Sequence, residues 1–170
     1  MALRPGRTVR KIKRPYTRIS KKKPRKSYVV GVPFPKIHQF EMGTRGEYPT
    51  ILHLIAKRSV QIRDNALEAS RIVATKFLEK ELRTNFFFKI LVYPHHVIRE
   101  KSIAQGAGAD RFSQGMRQSF GMPAGTAVQV KEGQRIMTLY VKKENIEIGK
   151  RALKKAGLKI STPVSIEIEE

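Results

Sequence analysis

From about residue 28 onward, apolar and polar positions recur with periods that switch between strand and helix spacing. Tyr28-Val29-Val30-Gly31-Val32, closed by Pro33-Phe34-Pro35, reads as a short strand ended by a rigid turn. Residues 41–50, with Gly43, Gly46 and Pro49, read as a loop. Residues 51–60 alternate as one strand, with Leu52, Leu54 and Ala56 on one face. Asp64 or Asn65 then caps a helix running to about Leu82, with Glu68 in its first turn to meet the positive end of the helix dipole. Ala66, Ala69, Ser70, Val73 and Phe77 form its inner face, flanked by Leu67, Ala74 and Leu78, while Arg71, Lys76, Glu79 and Arg83 face away.

The strongest strand signal is Phe86-Phe87-Phe88-Lys89-Ile90-Leu91-Val92-Tyr93, bounded by Pro94. It reads as a central strand, with Leu91 meeting Phe77 between sheet and helix. Val97-Ile98-Arg99 continues as a short strand. Residues 101–125 break the pattern and hold five of the twelve glycines, Gly106, Gly108, Gly115, Gly121 and Gly125. Strands return at Thr126–Lys131 and Arg135–Lys142, joined as a hairpin by Glu132-Gly133-Gln134. Asn145 caps a second helix, with Ile148, Gly149, Ala152, Leu153 and Ala156 inward and Gly157 just past its last turn. Val164–Ile168 is a final strand. Two amphipathic helices need a sheet to cover, so the pattern predicts an α+β fold: a two-layer sandwich of mixed or antiparallel sheet with two helices. The expected organisation is an arm over residues 1–27 and one domain over 28–170, with a functional loop at 101–125.

Charge changes the picture most at the start of the chain. Every charged residue in the first forty positions is basic: thirteen Lys and Arg lie between Arg4 and Lys36, and the first acid is Glu41. The whole chain carries +21, so residues 41–170 keep a net +8. The arm residues Arg4, Arg7, Arg10, Lys11, Lys13, Arg14, Arg18, Lys21, Lys22, Lys23, Arg25 and Lys26 have no acid among them, and Pro5, Pro15 and Pro24 bar a long helix. Such a segment repels itself and buries little, so it should stay extended until a polyanion neutralises it. Nucleic acid is that polyanion, because each phosphate contact also releases condensed counterions. Tyr16 and Ile19 are sparse apolar points that could stack on a base or pack on the body.

A search for catalysis returns little. Cysteine is absent, which removes disulfides and thiolate metal sites. The histidines, His38, His53, His95 and His96, lack zinc-ligand spacing. Arg117-Gln118-Ser119-Phe120-Gly121 lacks the first glycine of a nucleophile elbow, and Gln105-Gly106-Ala107-Gly108 is not followed by the Gly-Lys-Ser/Thr of a phosphate loop. Asp110 is the only acid between Lys101 and Lys131, so a carboxylate pair is missing there. No cofactor, metal, small-molecule substrate or membrane is expected. The basic N-terminus lacks the apolar stretch of a secretory signal, and its prolines spoil an amphipathic transit peptide. The long loop instead offers Lys101, Gln105, Gly106, Gly108, Asp110, Arg111, Gln114, Gly115 and Arg117, a set suited to RNA backbone and 2′-hydroxyl groups.

At Ala107-Gly108-Ala109-Asp110-Arg111-Phe112-Ser113-Gln114-Gly115-Met116-Arg117 the chain resembles the archaeal and eukaryotic large-subunit ribosomal protein family L ten e, whose bacterial counterpart is L sixteen. Arg4-Pro5-Gly6-Arg7, Phe120-Gly121-Met122-Pro123 with Gly125, and Gly133-Gln134 carry the resemblance further, and the short C-terminus looks archaeal. The resemblance implies a hammerhead-type α+β fold and a non-catalytic, cytoplasmic ribosomal role. It implies binding to large-subunit rRNA near the five-S rRNA and the tRNA-binding cleft, beside neighbouring ribosomal proteins, with the loop directed at tRNA. The competing reading is a free RNA- or DNA-binding protein, a chaperone or chromatin component, which the arm supports equally and the long acid-poor loop does not require. A third reading, an RNA-modifying enzyme, lacks both a cofactor site and an acid/base group.

Overall fold

A computed structural model describes residues 4–13, 29, 31–104 and 106–169. Eight strands and two helices follow one another as β1 (Glu41–Gly43), β2 (Thr50–Ala56), β3 (Val60–Arg63), α1 (Asp64–Leu82), β4 (Phe87–Ile90), β5 (His96–Glu100), β6 (Met122–Val130), β7 (Arg135–Val141), α2 (Ile146–Gly157) and β8 (Val164–Glu169). They form a five-stranded sheet in the order β1-β4-β7-β2-β8 and a three-stranded sheet in the order β3-β6-β5. Every pairing is antiparallel. The α+β sandwich with two helices is therefore present, in an antiparallel form.

The strand expected over 51–60 is two strands. Lys57, Arg58 and Ser59 interrupt the apolar alternation, so the chain leaves the large sheet as β2 and enters the small one as β3. The return path bends at the same place. β6 and β7 do not pair as the expected hairpin; they too lie in different sheets. The two bends lock together: the Ala56 N–H donates to the Gln134 carbonyl at 3.1 Å and the Gly133 N–H to the Ala56 carbonyl at 2.9 Å. β2–β3 and β7–β6 thus make one long bent ribbon joining the sheets. Other expectations change too, and β6 begins at Met122, inside the expected loop 101–125. A short edge strand, β1, occupies part of the expected loop 41–50 and pairs with β4. Gly31 and Val32 are outside any strand, and Tyr28 and Val30 lie outside the described residues. Asp64 is the first helical residue rather than a cap. It is buried and accepts hydrogen bonds from the N–H groups of Lys36 (3.0 Å) and Asn65 (2.7 Å) and from Thr126 Oγ1 (3.2 Å).

The main core lies between the five-stranded sheet and the helices. Leu52, Leu54, Phe88, Met137 and Leu139 from the sheet meet Leu67, Leu78 and Leu153 from the helices, all fully buried. Each such side chain contributes roughly 1.5–3 kcal/mol by leaving water. The buried stripe of α1 is Leu67, Ser70, Ala74 and Leu78, the residues expected mostly as its flanks. Phe77 sits at the margin, where Lys155 Nζ from α2 lies 3.6 Å from its ring centroid. Leu91 is exposed and does not meet it. The helices join through Ser70 Oγ, which donates to the Ala156 carbonyl at 2.9 Å. Gly157 does not act as a left-handed cap: it is the last helical residue, buried where a Cβ would stand 2.5 Å from Val164 Cγ2.

Candidate nucleic-acid interface

The three-stranded sheet carries the basic N-terminal segment and the long loop side by side. The segment is described over residues 4–13, and there it is docked rather than projecting from the body. Its carbonyls are the attachment points. Arg63 donates to the Arg4 carbonyl at 2.8 Å, the Gln61 N–H to that of Arg10 at 2.9 Å, and Gln61 Nε2 to that of Val9 at 3.0 Å. Gln129 Nε2 donates to the Lys13 carbonyl. Holding the segment by its backbone leaves the cationic side chains of Arg7, Arg10, Lys11 and Lys13 exposed, while that of Arg4, also exposed, is engaged at the neck of the loop. Arg14, Arg18, Lys21, Lys22, Lys23, Arg25 and Lys26 lie outside the described residues, as does Gln105 of the loop.

The loop leaves β5 at Lys101 and rejoins β6 at Met122. Its neck is tied on both sides. Arg4 Nε pairs with Glu100 Oε2 at 3.3 Å and Arg4 also donates to the Lys101 carbonyl at 3.4 Å. Arg99 donates to the Gly121 carbonyl at 2.8 Å while its guanidinium stacks 3.2 Å from the Phe120 ring centroid. Gly121 is required at this closure: its φ is +72°, and a Cβ would lie 2.6 Å from the Glu100 carbonyl carbon. Beyond the neck, a 3-10 turn at Ala109–Arg111 is linked back to the start of the loop by Ser113 Oγ, which donates to the Ala109 carbonyl at 3.4 Å and accepts from the Ala104 N–H at 3.1 Å.

These ties shape two clefts. One, of about 350 Å³, lies between the arm and the neck and is lined by Arg4, Lys13, His96, Arg99, Lys101 and Phe120 among others. His96 is buried in its wall, and burial followed by the Lys13 charge lowers its pKa. The other, of about 540 Å³, lies within the loop and brings together Lys101, Asp110, Arg111, Gln114 and Arg117, with Phe112 and Met122. Gly106, Gly108 and Gly115 are exposed outside both linings. The side chains that attach the arm, Gln61, Arg63 and Gln129, and the neck pair Arg99 and Phe120 were not among the expected site residues. Their signal was present: polar residues recurring inside two apolar strands, and an arginine and an aromatic at opposite ends of one long loop. Phe112 and Met116, largely exposed, are further residues that the sequence reading does not single out.

Arginine forks, lysines and uncovered aromatic faces are the groups that bind phosphate and stack on bases. Among the described residues no cluster of His, Asp and Glu could hold a metal ion, and no helix is long and apolar enough to cross a membrane.

Comparison with known proteins shows what the chain as a whole is similar to. Residues 15–167 match the family model described as ribosomal protein L16p/L10e. The chain is 45% identical over 172 residues to the large ribosomal subunit protein uL16 of Archaeoglobus fulgidus, covering 100% of this chain and 95% of that one. It is 47% identical over 173 residues to the protein of the same name from Sulfolobus acidocaldarius, covering 99% of this chain and 94% of the relative. The Methanococcus aeolicus protein uL16 is 43% identical over 171 residues, at 99% and 95% coverage.

Proposed function

The chain belongs to the ribosomal protein L16p/L10e family, structural constituents of the large ribosomal subunit, and from that premise we propose which of its surfaces meets RNA and what the contact does. The arm and the loop on the three-stranded sheet bind large-subunit rRNA, in the region of the five-S rRNA and the tRNA-binding cleft. The five-stranded sheet and its helices form the body that holds them. The role is positional rather than catalytic: the arm anchors the protein, and the loop over residues 102–117 supports the seating of tRNA and the maturation of the subunit. In this division residues 1–27 serve RNA throughout, although residues 4–13 are also held by the body, and residues 28–170 fold as one domain.

The observation that carries this reading is the docking of the arm by its carbonyls. The backbone bonds to the sheet satisfy the chain, and the exposed cations are left for an external polyanion. The loop shares the same edge, pinned at its neck and without apolar anchors further out. Such segments open locally at little cost to the domain.

Replacing residues 105–112 with a short neutral linker tests the assignment. The melting temperature should be nearly unchanged and the protein should still sediment with large subunits, while tRNA accommodation or subunit maturation falters. Normal translation with the shortened loop would remove the loop's role. Sedimentation of the intact chain apart from large subunits would favour a free RNA-binding protein instead.

A further inference from the structure

Two acids line the cleft inside the loop, and they are treated differently. Glu100 is taken up by Arg4. The Asp110 carboxylate makes no hydrogen bond or ion pair among the described residues, although Arg111 is its neighbour in sequence and Arg117 lines the same cleft. A bare carboxylate facing a polyanion is repelled by every phosphate. It becomes favourable only where the partner offers hydrogen-bond donors, because an ionised carboxylate can only accept. RNA offers donors on its base edges and 2′-hydroxyl groups, not on its phosphates. Beside Asp110 stands Phe112, 85% exposed, an aromatic face left open to solvent.

Resting on the RNA-binding reading above, we propose that this cleft is a recognition site for a single unpaired guanine. The base stacks on Phe112. Its Watson–Crick edge presents two neighbouring N–H donors, from the ring nitrogen and the exocyclic amine, to the two oxygens of Asp110. Adenine and cytosine carry only the exocyclic amine there, and uracil only one ring N–H, so the paired oxygens select guanine. The guanine must be unpaired, because pairing consumes that edge. Lys101, Arg111 and Arg117 hold the flanking phosphates, and Gln114 can bond the ribose hydroxyl. The lone acid of the loop thus serves base selection, and the cations around it serve affinity.

The test uses the full chain and hairpin RNAs that differ only in one unpaired loop base: guanine, inosine, adenine or uracil. Binding is followed by fluorescence anisotropy at fixed salt. The wild-type protein should prefer guanine over uracil by about tenfold, the discrimination expected of one good two-bond contact. Inosine, which lacks the exocyclic amine, should fall between them. Asp110→Asn should erase the preference while affinity for the uracil hairpin is kept or raised, since no phosphate contact is lost and one repulsive charge is removed. Phe112→Leu should weaken all hairpins, and Phe112→Tyr should restore them, because stacking does not depend on base identity. Equal binding of all four hairpins by the wild type would overturn the guanine site and leave the RNA-binding reading intact, as would a preference that survives Asp110→Asn. Failure to bind any hairpin at low salt would overturn both.

Discussion

At Gly149 a methyl group would stand 2.7 Å from Leu52 Cδ1 and 3.1 Å from Leu139 Cδ2, both inside the core. Two effects of Gly149→Ala oppose each other. Alanine favours a helix interior by about 1 kcal/mol over glycine. Overpacking a filled core costs roughly 1–3 kcal/mol. Because Leu52 and Leu139 are themselves fully buried, they have little room to yield, and the packing cost should win. Thermal unfolding of Gly149→Ala should therefore show a melting temperature lowered by several degrees, and a rise would mean that α2 rides higher on the sheet. The sequence marks Gly149 as an inward residue but gives no height for the helix above the strands. Leu91 shows a different gap. Its run alternates, with Phe86, Phe88, Ile90 and Val92 inward. Leu91 shares its parity with Lys89, and that lysine is the sign that this face is wet.

Among elements, most existence and type was legible and the sheet assignment was not. Apolar periodicity located α1, α2, β4, β5, β7 and β8 because each carries a run of apolar residues at helix or strand spacing. It joined β2 to β3 and paired β6 with β7 because alternation continues on both sides of the bend, and nothing local to Lys57–Ser59 tells which sheet follows. β1 was missed because three residues among glycines carry too little pattern; it exists through its pairing with β4. The inner position of β4, between β1 and β7, gives a paired prediction. Phe88→Ala should cost roughly 3–5 kcal/mol and Leu91→Ala well under 1 kcal/mol, read by urea unfolding. Equal losses would place Leu91, just past the end of β4, in the core as well and contradict this layer order.

For the molecule as a whole, the charge of the arm and the Ala-Gly-Ala-Asp-Arg run are enough to indicate RNA and the family from the amino-acid sequence alone. They do not reveal that the arm lies on the small sheet, since its attachment depends on Gln61, Arg63 and Gln129, residues distant in sequence and ordinary in type. The central claim is that the small-sheet side is the principal RNA surface. A rival cationic surface exists on α2, where Lys150, Arg151, Lys154 and Lys155 occur within one helix, followed by Lys159. The slope of log affinity against log salt, measured on large-subunit rRNA, separates them, because it counts neutralised phosphates. Changing Arg4, Arg7, Arg10, Lys11 and Lys13 to Gln should reduce the magnitude of the slope by about four, whereas changing the five α2-side cations to Gln should reduce it by about one or less. The reverse result, with the α2 variant losing the slope and the arm variant keeping it, would contradict the account.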